Sequence, residues 1–147
     1  MSVTHKDLRN YAAGIAETDC DETHIRSSIS RSYYAAFHAA LPLVGKLPEC
    51  SKIGDAARIS HHEMGERLRA WDVGRIDPRL AKLKVTARTL ATAMKAARAA
   101  RVQADYDIDI DLVKADARAQ VERTSKILRM ILQIEGEIQR PAASVQR

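Results

Sequence analysis

Hydrophobic positions three or four residues apart mark most of this chain as helix. The clearest run is Ile25, Ile29, Tyr33, Ala36, Phe37, Ala40 and Val44, which Asp21 or Thr23 can cap and which Gly45 and Pro48 stop. A helix ahead of it starts at Thr4, whose hydroxyl can cap while Asp7 sits three residues on, and it continues to Thr18. Beyond Pro48 the pattern is loose as far as Ile59. Ser60 and Glu63 then make the capping box of a short helix through Met64, Leu68 and Trp71, with Gly74 as its stop. Asp77 and Pro78 open a long helix in which Leu80, Leu83, Ala87, Leu90, Met94 and Ala97 alternate steps of three and four as far as Ala104. Asp109 or Asp111 caps a last helix with Val113, Ala117, Val121, Thr124, Leu128 and Ile131 on one face, ending near Gly136. Four substantial amphipathic helices and one short one, with short connections, predict an all-α fold. Its most economical form is an antiparallel up-and-down four-helix bundle with an additional short helix. Residues 1–138 make up this single domain, and residues 139–147 read as a flexible C-terminal tail.

Composition narrows the picture. At 147 residues, 46% apolar and 29% charged, the chain has the size and balance of one globular domain. Six aromatic residues against 24 alanines favour closely packed helices and exclude an all-β fold. The longest uncharged stretch, Ser32 to Gly45, is too short to span a bilayer, and the run Asn10 to Ala16 lacks the apolar core of a signal peptide. The expectation is therefore a cytoplasmic protein with no membrane partner. Cys20 and Cys50 form no CxxC pair or Cys/His cluster and read as two free thiols. The net charge of +5 is unevenly spread, because Arg75 to Arg101 holds eight basic residues against the single acid Asp77. Asp105, Asp107, Asp109 and Asp111 follow directly. Such a basic segment suits a polyanion such as nucleic acid; its plainer explanation is a solvated face paired with acids elsewhere.

Most standard chemistries find no footing. His62-Glu63-Met64-Gly65-Glu66 has Glu66 where a metalloprotease helix has its second histidine. There is no Glu-x-x-His pair for a di-iron centre, no glycine-rich phosphate loop after a strand and no nucleophile elbow, so neither metal nor cofactor is expected. The second helix offers more. His24, Arg31 and His38 are spaced by seven and line up along it, with Ser27 and Tyr34 beside them. A guanidinium that binds phosphate bidentately, two turns from an imidazole that titrates near neutrality, is the minimum equipment for acid/base chemistry at a phosphodiester. Arginine and histidine are frequent enough here that the spacing alone is not diagnostic.

Two strings carry a sharper signal. ISRSYYAAFHAA, from Ile29 to Ala40, and RVQADYD, from Arg101 to Asp107, together resemble the HEPN superfamily of small helical proteins. The resemblance implies a homodimer that meets across the second helix and an Arg-x4–6-His motif, here Arg31 and His38, from each copy in one cleft. Ala35 and Ala39 would be the small side chains allowing close approach. In family ribonucleases the RNA 2′-hydroxyl attacks the adjacent phosphate without a metal, leaving a cyclic phosphate and a 5′-hydroxyl. The implied function is a metal-independent endoribonuclease of toxin-antitoxin or defence type. His38 would move protons and Arg31 would hold the phosphate, while His24, Ser27, Tyr34, Arg79, Lys82 and Arg101 are the candidate RNA or nucleotide contacts. The alternative is a non-catalytic module that binds a nucleotide or a nucleotidyltransferase or other antitoxin partner. Ser32 follows the arginine where active members often have Asn, Asp or His, and Leu41 stands where some family toxins carry an AMP-accepting tyrosine. His61 or His62 resembles a family histidine before the third helix, with the choice open. Tyr33 and Phe37 fall in the apolar arc and read as core, and Arg101 and Asp105 as an ion pair with Tyr106 packed at the helix end.

Overall fold

The computed structural model describes residues 2–18, 21–50, 58–73 and 77–141, and their regular structure is entirely helical. The elements are α1 (His5–Glu17), α2 (Glu22–Val44), α3 (His61–Ala70), a 3₁₀ helix (Pro78–Leu83), α4 (Lys84–Tyr106) and α5 (Lys114–Gln139). None of these helices is long and apolar enough to cross a membrane. The helix starts follow the local chemistry of the caps. Asp7 closes a reciprocal box with Thr4, Asp21 rather than Thr23 accepts from the His24 amide, and the Ser60 hydroxyl accepts from the Glu63 amide.

Four boundaries differ from the sequence expectation. Glu63 does not reach back to complete the Ser60 box; its carboxylate turns inward to Arg67 (2.8 Å) and the Cys50 amide (2.7 Å). α3 stops at Trp71, a left-handed residue (φ 43°), before Gly74, which lies outside the described residues. A tryptophan tolerates that backbone because its buried indole donates to the Leu80 carbonyl (2.9 Å), so tertiary packing outweighs the local strain. The segment opened by Asp77 and Pro78 winds first as a 3₁₀ turn, and α4 begins only at Lys84. Finally, α5 is capped neither by Asp109 nor by Asp111. Asp116 reaches back from inside the helix to the Val113 amide (2.8 Å), and the helix runs past Gly136 to Gln139.

α2 packs against α1, α3, α4 and α5, while α1 and α4 lie on opposite sides of the α2–α5 pair and do not touch. Beside Ile29, Tyr33, Leu43 and Val44, five small residues of α2, Ser28, Ser32, Ala35, Ala36 and Ala40, are almost fully buried. Polar bridges register the helices. The Ser28 hydroxyl donates to the Ala12 carbonyl of α1 (2.8 Å), and the Thr124 hydroxyl of α5 to the Ser32 carbonyl (3.2 Å). Gln120 of α5 donates to Ala97 of α4 (2.8 Å) and Ile29 of α2 (3.4 Å), joining three helices through one amide. α3 is fixed by the buried pair Arg67–Glu63, whose guanidinium also donates to the Val44 carbonyl at the end of α2 (3.3 Å). Cys50 is a free, exposed thiol, whereas Cys20 lies outside the described residues.

Because Gln120 is fully buried and bonded to two helix backbones, Gln120→Ala should cost about 2–3 kcal/mol in urea denaturation, from a lost hydrogen bond plus a residual cavity. A loss below about 0.5 kcal/mol, the range of ordinary surface substitutions, would show that the bridge is not a registering contact.

Candidate functional site

α2 leaves one narrow edge uncovered beside α4. Arg31 and His38 are exposed there and Tyr34 is half-buried between them, so the three side chains share one face at steps of three and four. Arg31 and His38 lie about 10 Å apart along the helix axis, with Tyr34 standing between them. The Tyr34 and His38 rings are 6.5 Å apart, and Phe37 meets His38 edge-on at 5.8 Å. Behind this row stands Arg101 of α4. Its guanidinium donates to the Tyr34 hydroxyl (2.6 Å), lies over the Tyr34 and Tyr106 rings at 5.2 and 5.7 Å, and approaches Asp105 at 2.8 Å. Asp105 in turn accepts from the Ser30 hydroxyl (3.3 Å). The two strings singled out in the sequence thus meet through Tyr34 and Arg101. Tyr106 does not pack under the helix end; its ring is 71% exposed, with Arg101 as its neighbour.

The other candidates are dispersed. His24 lies at the start of α2, its ring nitrogen 2.7 Å from the capping carboxylate of Asp21, and Ser27 is half-buried one turn on. Arg79 is gripped by Asp77 through three side-chain hydrogen bonds. Lys82 pairs with Glu137 (3.1 Å), thirteen residues beyond Thr124, the α5 residue level with Ser32, and so about 20 Å from Arg31 along the molecule. By contrast, no carboxylate among the described residues pairs with Arg31. Ser32, next in sequence, points the other way into the core, where its hydroxyl has no hydrogen-bond partner. Ala35 and Ala39, expected against a second copy, are 0% and 7% exposed and already packed within the chain, because α2 is the central helix and not a peripheral one.

Three features escape sequence reasoning. Arg26 pairs with Glu22 (2.6 Å) and donates to the carbonyls of Ala104, Asp107 and Ile110, anchoring the end of α4, which carries Asp105 and Tyr106, and the turn that follows it. His61, left open with His62, turns inward, packing on Phe37 at 4.5 Å and hydrogen-bonding the Tyr33 hydroxyl through Nδ1, while His62 stays exposed. Lys95 and Arg98 lie on the α4 face that carries Arg101; their three-residue steps were the available signal, lost within a segment read only for its net charge.

Burial pushes the Tyr33 phenol up to about 12, so it keeps its proton at neutral pH. Desolvation, then the charges of Arg98 and Arg101, hold His61 below the ordinary histidine value. The Tyr33 hydroxyl and His61 Nδ1 share this hydrogen bond, so Nε2 is the ring nitrogen left to face other groups.

Comparison of the chain with family models, curated proteins and solved structures gives no match.

The His61 environment carries a pH signature. The unfolded chain takes up the histidine proton more readily than the folded one, so stability is complete above the unfolded value of 6.5 and falls as pH drops through the lowered folded value. Urea denaturation at about pH 7.5 and about pH 5 should show that loss, reduced in His61→Gln; equal losses in both proteins would contradict the assignment.

Proposed function

We propose that this chain binds RNA along the Arg31–Tyr34–His38 row and cleaves it as a metal-independent endoribonuclease of toxin-antitoxin or defence type. The observation that carries the reading is the row itself: an arginine without an acidic partner among the described residues and an exposed histidine, joined by a tyrosine held from behind by Arg101. The resemblance to the HEPN superfamily assigns the same two residues. In this reading the chain is an antiparallel up-and-down four-helix bundle with a short extra helix, and it acts in the cytoplasm. His38 takes the proton from the 2′-hydroxyl as that oxygen attacks phosphorus, and a second imidazole or water protonates the departing 5′-oxygen. Arg31 holds the non-bridging oxygens and is favoured more strongly as charge develops on them.

The same reading implies a homodimer. Tyr34 separates Arg31 from His38 within one chain, whereas a twofold-related α2 brings Arg31 of one copy toward His38 of the other. The apposed surface is the polar row and not Ala35 and Ala39, which the chain itself buries. Nucleic-acid affinity rests on Arg31 more than on Arg79, Lys82 and Arg101, whose charges Asp77, Glu137 and Asp105 already offset. The second reading, a non-catalytic module for a nucleotide or a nucleotidyltransferase partner, is favoured by the departure at Ser32, whose buried hydroxyl lies away from the row.

In EDTA, with labelled RNA and a matched DNA control, His38→Ala should abolish cleavage to 2′,3′-cyclic phosphate while leaving RNA binding within about twofold. Arg31→Ala should lose both, and Arg31→Lys should recover only part, since it keeps the charge but not the planar fork. Light scattering should give a dimer. A parent protein that cleaves no RNA, or a His38→Ala protein as active as the parent, removes the enzyme and leaves the binding module.

Salt titration of RNA binding separates the basic groups. Arg31→Ala should lower affinity and flatten the dependence of log K on log salt by about one unit. Replacing Arg79 and Lys82 together by alanine should change affinity less than Arg31→Ala does; the reverse order would relocate the interface to the far end of α4.

A further inference from the structure

A second feature lies one helix face away from the row. Tyr33, Met64, Ala91 and Met94 floor a cavity of about 250 Å³ between α3 and α4, and its rim carries His61, His62, Arg69, Lys95 and Arg98. Among the described residues that line it there is no carboxylate. Glu66 holds Arg69 at 2.9 Å, but neither Lys95 nor Arg98 has a carboxylate partner among the described residues. Two cations converge there without internal compensation, and the positive end of the α3 dipole, where His61 and His62 sit, adds to their field. The volume is roughly eight times the ~30 Å³ of a liquid water, enough for a phosphate group and part of what it is attached to.

The lining also selects the kind of anion. Arg98 brings a planar fork, Lys95 a point charge, and His61, with Nδ1 engaged by the Tyr33 hydroxyl, an Nε2 that donates once the ring is protonated. A tetrahedral dianion with three terminal oxygens can engage all three, whereas the linking phosphate of an RNA chain has only two free oxygens and continues in both directions. The apolar floor suits the organic part of such a ligand better than a free inorganic ion. The Arg69 guanidinium lies directly over the bare Gly65, where a Cβ would stand 2.9 Å from it.

We propose that this cavity is a phosphomonoester-binding site, distinct from the Arg31–Tyr34–His38 row, that takes the terminal phosphate of a nucleotide or of an RNA end. It needs no cleavage activity and survives the loss of the ribonuclease reading.

The test is an NMR titration of the full-length protein with AMP, adenosine and inorganic phosphate as probes. AMP should shift the resonances of His61, His62 and Arg98, inorganic phosphate should shift the same set more weakly, and adenosine should not. Bound phosphate should also raise the titration midpoint of His61, since an anion beside the ring favours its charged form. Arg98→Ala should weaken AMP by about tenfold, the loss of one charge-assisted hydrogen bond, and Lys95→Ala by several-fold. Lys126→Ala, on α5 and paired with Glu122, should leave it unchanged. Both rim residues are exposed, and a thermal melt matching the parent confirms that each variant folds. Short RNAs with a 5′-phosphate or a 5′-hydroxyl, added to His38→Ala protein to prevent cleavage, separate the sources. Tighter binding of the phosphorylated RNA than of its 5′-hydroxyl counterpart, with shifts at His61 and Arg98, assigns the site to an RNA end; equal binding of the two RNAs beside a response to AMP assigns it to a free nucleotide. Equal shifts from AMP and adenosine, or Lys95→Ala and Arg98→Ala proteins that bind AMP like the parent, overturn the proposal.

Discussion

The close packing of α2 is the constraint on which the rest of the molecule depends. Every other α-helix leans on it, and they can do so because Ser28, Ser32, Ala35, Ala36 and Ala40 present almost no volume on its inner faces. Interiors pack near crystal density, so a larger residue at any of these positions would force a neighbouring helix outward. Covering the helix on so many sides leaves one narrow edge for polar chemistry. Arg31, Tyr34 and His38 occupy it, while Ser32 is turned into the core beside Thr124.

Small inner side chains make close approach available but specify registry poorly, since alanines slide past one another with little penalty. Registry comes from buried polar groups that must find partners. Gln120, Thr124, Ser28 and the Arg67–Glu63 pair each satisfy a group that would be costly to bury alone. The same contacts set the height of α4 against α2, and therefore the meeting of Arg101 with Tyr34. Arg26 does this work from the other end, holding one carbonyl of the last turn of α4 and two of the segment beyond it.

Charge is compensated selectively. Arg26, Arg67, Arg79 and Lys82 each face a carboxylate, so much of the basic character visible in the composition is spent internally. Arg31 on the row and Lys95 and Arg98 at the cavity rim are among the cations that have no carboxylate partner among the described residues, and these three lie near the middle of α2 and α4. Uncompensated cations gathered on adjoining surfaces are the electrostatic arrangement that attracts phosphate, and their low local screening in a partly enclosed site strengthens it.

The sequence by itself determined the helices, because a 3.6-residue apolar period and a capping side chain are local properties. Thr4 with Asp7, Asp21 before α2, and Ser60 before α3 were all legible, as was the polar row of Arg31, Tyr34 and His38. Tertiary structure alone decided which groups pair across the chain. Glu63 abandons its capping box for Arg67, Trp71 ends α3 in a left-handed conformation that its buried indole enforces, and Ala35 and Ala39 are consumed inside the chain. His61 parts from His62 for the same reason: adjacent positions on a helix point about 100° apart, and only the packing of Tyr33 and Phe37 settles which of them turns inward. Local rules see spacing along one helix, whereas partners for buried charge and volume come from residues tens of positions away.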